Sequence, residues 1–138
     1  MEYPESCVRG IQSAEWVLPD GSILTGLFQF DPAKARPDGW VEQCVNWHDD
    51  DGAVELVLNQ RTENGAFQFK GGAAIVSREE IDRIRAAPNR HNMVSYERQP
   101  LAGNPYHGNV LLNSSVPTAV RKQIQATLAL YARFVSRR

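Results

Sequence analysis

Thiols and imidazoles are scarce in this 138-residue chain: it has two cysteines and three histidines. Cys7 and Cys44 lie far apart, and neither stands at a metal-ligand spacing, so the sequence encodes no zinc-finger or ribbon type of centre. Both are expected to be free thiols acting as small buried hydrophobes. A disulfide would need an oxidising compartment, and no signal-peptide pattern leads there. Long apolar runs are also missing. Nothing approaches the roughly 20 residues that cross a bilayer, and the start, Met1-Glu2-Tyr3-Pro4-Glu5, is polar, so the expectation is a soluble cytoplasmic protein that makes no membrane contact. Glycine-rich phosphate signatures are absent, and Lys70-Gly71-Gly72 is too short to be one. There is no Gly-x-Ser-x-Gly elbow. No cofactor is expected.

Net charge is nearly absent too, at −1, but it is unevenly distributed. Residues 1–69 carry Arg9, Lys34, Arg36 and Arg61 against twelve acids, a balance of −8. Residues 70–138 carry eleven basic residues against Glu79, Glu80, Asp82 and Glu97, a balance of +7. Either the two halves pack together and their charges partly neutralise, or the surface is bipolar and one face meets a charged partner. Aromatic residues are not interleaved with the basic ones in any nucleic-acid motif, which argues against DNA or RNA.

The length fits one domain, 1–138, large enough to bury about two-thirds of its unfolded surface without metal or disulfide support. Only the first residues and the Arg137-Arg138 end read as loose. Strands are expected over Cys7–Ile11, Ser22–Phe30 and Trp40–Trp47, with a tight turn at Pro19-Asp20-Gly21. Asp49-Asp50-Asp51 ahead of an apolar run predicts a helix over 51–60, because free N–H groups and the helix dipole favour anions there. Strand material follows at Ala66–Phe69 and Gly71–Val76. Ser77-Arg78-Glu79-Glu80 is a capping box opening a helix to Ala87, where Pro88 ends it. Met93–Glu97 reads as a strand and Pro100–Asn109 as a loop. Val116, Val120, Ile124, Leu128, Tyr131 and Val135 recur at helical spacing, widened by Leu130 and Phe134, with Arg121, Lys122 and Gln125 on the wet side. That predicts a last helix over 116–135, with Ser115 as N-cap and Pro117 in its first turn. The fold class is α+β: a single mixed or mainly antiparallel sheet, helices packed on one face and a long C-terminal helix.

Chemistry concentrates in Gly103-Asn104-Pro105-Tyr106-His107-Gly108-Asn109. A histidine can act as acid, base or ligand, and Tyr106, Asn104 and Asn109 stand ready to orient it. The alternative is a histidine bonded to a nearby carbonyl that fixes a turn. His48 beside three consecutive acids is better suited to capping and turn formation than to a cation site, since calcium loops alternate their ligands. The tryptophans at 16, 40 and 47 read as core or sheet-packing residues.

Three pieces resemble a small uncharacterised bacterial family: Val8-Arg9-Gly10-Ile11; Cys44-Val45-Asn46-Trp47 followed by the acids and Gly52-Ala53; and Asn104-Pro105-Tyr106-His107 ahead of an Ala/Leu-rich helix. The resemblance implies a stand-alone domain accessory to a larger protein, and brings no activity or cofactor with it. The charge asymmetry and the absence of every standard catalytic pattern make the first functional expectation a non-enzymatic protein-interaction domain, binding a partner protein through Arg83, Arg85, Arg121 and Lys122. The alternative is a small enzyme acting on a nucleotide or other phosphorylated molecule. His107 would be its general acid/base, Tyr106 a neighbouring donor, Asn104 or Asn109 the orienter and Arg9 the anion holder. That version requires Arg9 and His107 to share one cleft.

Overall fold

The computed structural model describes residues 4–87 and 92–136. Pro88, expected to end a helix, and the Met1–Tyr3 and Arg137-Arg138 ends lie outside the described residues. Within them the chain forms β1 (Ser6–Ile11), β2 (Trp40–Trp47), α1 (Asp51–Asn59), β3 (Gly72–Ser77), α2 (Arg78–Ala86), β4 (Val94–Arg98), β5 (His107–Asn113), α3 (Thr118–Tyr131) and β6 (Arg133–Val135). The strands make one open antiparallel sheet in the order β4-β5-β2-β1-β3-β6. This is the α+β class expected from the sequence.

Strand alternation sends residues to two faces. Cys7, Ile11, Val41, Val45, Trp47, Ala74, Val76, Val110 and Leu112 enter the main core, which α2 covers with Ile81 and Ile84 and α3 with Ile124, Leu128 and Ala129. Val8, Ala73 and Ile75 face the other way and pack under Val54, Val57 and Leu58 of α1. The expectation of helices on one face thus holds for α2 and α3, while α1 covers the opposite side.

Local capping chemistry sets two helix starts. Asp50 accepts from the Gly52 amide at 2.8 Å, and Ser77 Oγ from the Glu80 amide at 3.1 Å. Each such cap stabilises its helix by about 1 kcal/mol.

Several expectations are corrected. Ser22–Phe30 is not a strand: after a single Val17–Ile23 bridge the chain coils into a 3₁₀ turn at Thr25–Phe28. Gly26 lies directly under the Trp16 ring, where a β-carbon would collide, and the coil carries Leu27, Phe28 and Phe30 into the core without a ladder. The stretch around 66–69 likewise contributes only an Arg61–Phe67 bridge. The Pro100–Asn109 loop is shorter than expected, because His107, Gly108 and Asn109 open β5, which pairs with both β2 and β4.

The last helix stops at Tyr131. Ala132 turns extended (φ −71°, ψ 139°), and Arg133–Val135 pairs with Ala73–Ile75, satisfying the free edge of β3. Its N-cap is Pro117, not Ser115, whose amide and hydroxyl both donate to Asn113 Oδ1. Tyr131 and Leu130 are exposed, whereas Gln125, expected on the wet side, is buried and accepts from the Phe30 amide at 2.9 Å.

Candidate functional site

β1 and β2 are hydrogen-bonded neighbours only at Cys7–Trp47 and Val8–Asn46. Beyond these pairs β1 continues along β3 and β2 along β5, so the sheet opens between them. A cavity lies against each side of this opening. The first, about 530 Å³, is on the α1 face and is walled by Val8, Leu56, Phe69 and Leu101, with Asn104 and His107 at its polar side. The second, about 380 Å³, is lined by Arg9, Trp16, Leu27, Glu42 and Gln43. Gly10, Cys44, Gln68 and Phe69 line both.

His107 sits at the first position of β5, opposite Asn46. Its Nδ1 lies 2.9 Å from the Gln99 carbonyl, so Nδ1 carries the proton and donates. That leaves Nε2 as the ring nitrogen available to a ligand in the groove.

The preceding loop is clasped to α1. Asn104 Nδ2 donates to Asn46 Oδ1 (2.8 Å), Asn46 Nδ2 to the Ala53 carbonyl (3.2 Å), and the Tyr106 amide to Asn104 Oδ1 (3.2 Å). The Tyr106 hydroxyl donates to Asp50 Oδ1 at 3.1 Å, which raises the phenol above its ordinary range. Tyr106 and Asn104 therefore hold the loop in place. Asn109 is fully buried and donates to Glu97 Oε2 and Gln99 Oε1.

Arg9 is directed to the main-core side, as its neighbours Cys7 and Ile11 are. It donates from Nε to the Leu27 carbonyl (2.7 Å) and from Nη1 to that of Cys44 (2.8 Å). The guanidinium and the His107 ring thus occupy adjoining cavities on opposite faces of the sheet, not one cleft.

Two of the acids near His48 are already engaged. Asp50 caps α1, and Asp49 pairs with Arg98 at 2.6 Å. That pair and Arg36–Glu97 (2.8 Å) join the acidic half to the basic half. Of the expected partner-binding set, Arg83 pairs with Glu79 and Glu80, Arg85 donates to the Val94 carbonyl and Arg121 to that of Phe30, while Lys122 is exposed.

Sequence reasoning missed Gln43 and the groove wall. A signal for Gln43 was present: alternation through Val41, Gln43, Val45 and Trp47 puts a glutamine among core positions. Phe69, Leu56 and Leu101 meet only through the tertiary fold.

The two thiols make a checkable contrast. Burial pushes Cys7 up from the ordinary 9.0 to about 12; Cys44, expected to be buried, is instead exposed, and partial desolvation still raises it. Alkylation at pH 8 is expected to modify Cys44 slowly and Cys7 only on unfolding, read by peptide mapping. Because the folded-state value of Cys7 is the higher one, its contribution to stability is complete below about pH 9. It declines as pH rises toward about 12, by up to roughly 1.4 kcal/mol per pH unit. Equal labelling of both thiols in the native protein would contradict this packing.

No family model, curated protein or solved structure matches the chain.

Proposed function

We propose that this protein binds a small, partly apolar molecule in the α1-face groove, with His107 Nε2 as its polar anchor. The reading rests on one observation: an imidazole with Nδ1 held by a backbone carbonyl borders a mostly apolar cavity of about 530 Å³. Ligand pockets typically have this volume and this pairing of apolar walls with a few placed polar groups. Binding is favoured over nucleophilic catalysis because desolvation holds Cys44, the nucleophile in the lining, as a neutral thiol. The groove is also a better candidate than the basic residues, since three of those four already serve internal partners.

A fragment screen by backbone-amide NMR tests the proposal. Hits are expected to shift signals of His107, Phe69 and Leu101 together and to slow Cys44 alkylation. They should weaken about tenfold in His107→Phe, the loss expected for one well-made hydrogen bond. Leu56→Trp, which fills the groove, should abolish them. Hits scattered over the surface, or indifferent to both substitutions, would refute the assignment.

A further inference from the structure

The second cavity holds two groups without adequate partners. Gln43 is 3% exposed, and both its amide atoms, Nε2 and Oε1, are buried without a hydrogen bond. A buried amide left unpaired costs free energy that most proteins avoid. Arg9, which lines the same space, has no carboxylate within ion-pair distance among the described residues. Its Nε and Nη1 meet only carbonyls, which do not neutralise its charge, and Nη2 makes no hydrogen bond among the described residues. Glu42 also lines this cavity, and its carboxylate lies 3.9 Å from the Arg36 guanidinium. Cys7 and Cys44 also lie close to Arg9, but burial raises both, so neither supplies a thiolate. A partly buried cation with no counter-ion, beside an amide with no partner, is a costly arrangement unless something else completes it.

We propose that the opening between β1 and β2 is a binding site for a small oxyanion, a carboxylate or phosphate group carried on a ligand, held by Arg9 and Gln43. Arg9 is already oriented by its two carbonyl bonds, so Nη2 meets the anion at little conformational cost. The terminal torsion of glutamine is broad, which lets Gln43 turn Nε2 toward the same oxygen while Oε1 accepts from a neighbouring hydroxyl or amine of the ligand. The cavity is large enough for the anionic end of a metabolite, at about 380 Å³. This site stands apart from the reading of the His107 groove.

The test is a titration of the intact protein with sodium acetate and, separately, sodium phosphate, with chloride holding ionic strength constant. The Arg9 Nε–H and Gln43 side-chain amide resonances are followed. One anion or both should give saturable shifts at these groups, and the preferred anion identifies the chemistry. Gln43→Leu removes the unpaired amide and should fold at least as well as the parent, yet weaken binding about tenfold, as expected for a hydrogen bond to a charged group. His107→Phe should leave the shifts intact, which separates this site from the groove. Shifts that never saturate, or that persist unchanged in Gln43→Leu, would overturn the proposal. Arg9→Lys, which keeps charge but loses the fork, should also weaken binding and serves as a second check.

Discussion

Trp47→Ala is expected to lower unfolding free energy by about 3–5 kcal/mol, the range for truncating a buried tryptophan. Trp47 has no exposed surface. Its indole donates to the Glu97 carbonyl at 3.0 Å and its ring meets Tyr96 at 5.4 Å between centroids. Its amide donates to the Tyr106 carbonyl at 2.8 Å. One side chain therefore joins β2 to β4, and one backbone group ties β2 to the loop before His107. Against a domain stability of about 5–15 kcal/mol, a loss of this size leaves little margin. Urea unfolding followed by circular dichroism would measure it, and a change under about 1.5 kcal/mol would mean that the indole is not the packing centre of this region. The adjacent Asn46 positions Asn104, so loosening here should also weaken any ligand held in the groove.

The second large effect is expected at Gly108, from crowding. A β-carbon on Gly108 would fall inside contact distance of both the Glu97 carbonyl and the Trp47 indole nitrogen. Neither can withdraw, since one is ladder backbone and the other a buried ring. Gly108→Ala is expected to destabilise by about 1–3 kcal/mol, as overpacking does, and to displace His107 from its bond to Gln99. Thermal unfolding gives the first quantity. The second appears as a shift of the His107 ring resonances. A variant with parental stability and an unmoved His107 signal would show that β4 and β5 can spread apart, contrary to this packing.

The parts of the fold legible in advance were those whose cause is local. Asp50 and Ser77 cap helices because a side-chain oxygen two or three residues before an amide can reach it, whatever the rest of the chain does. Trp40–Trp47 declares itself a strand by alternation, and the middle of α3 by its Ile124–Leu128 stripe. The elements misread are those whose partner lies far along the chain. Arg133–Val135 continues a helical pattern in sequence, but the unpaired edge of β3 claims it. His107 to Asn109 look like turn residues, but β2 and β4 supply ladders on both sides.

The same division governs the candidate site. The sequence alone singled out His107 and Arg9 as chemically capable, and residue type is enough for that. Whether they cooperate depends on strand parity and on where β1 parts from β2, and those are settled by long-range pairing. Parity sends Arg9 to the core side and His107 to the α1 side, which separates two residues that looked like one constellation. Divergence of the strands then leaves Gln43 unpaired beside Arg9. No local pattern reveals this, because the missing partner is a property of the space between strands and not of any stretch of chain.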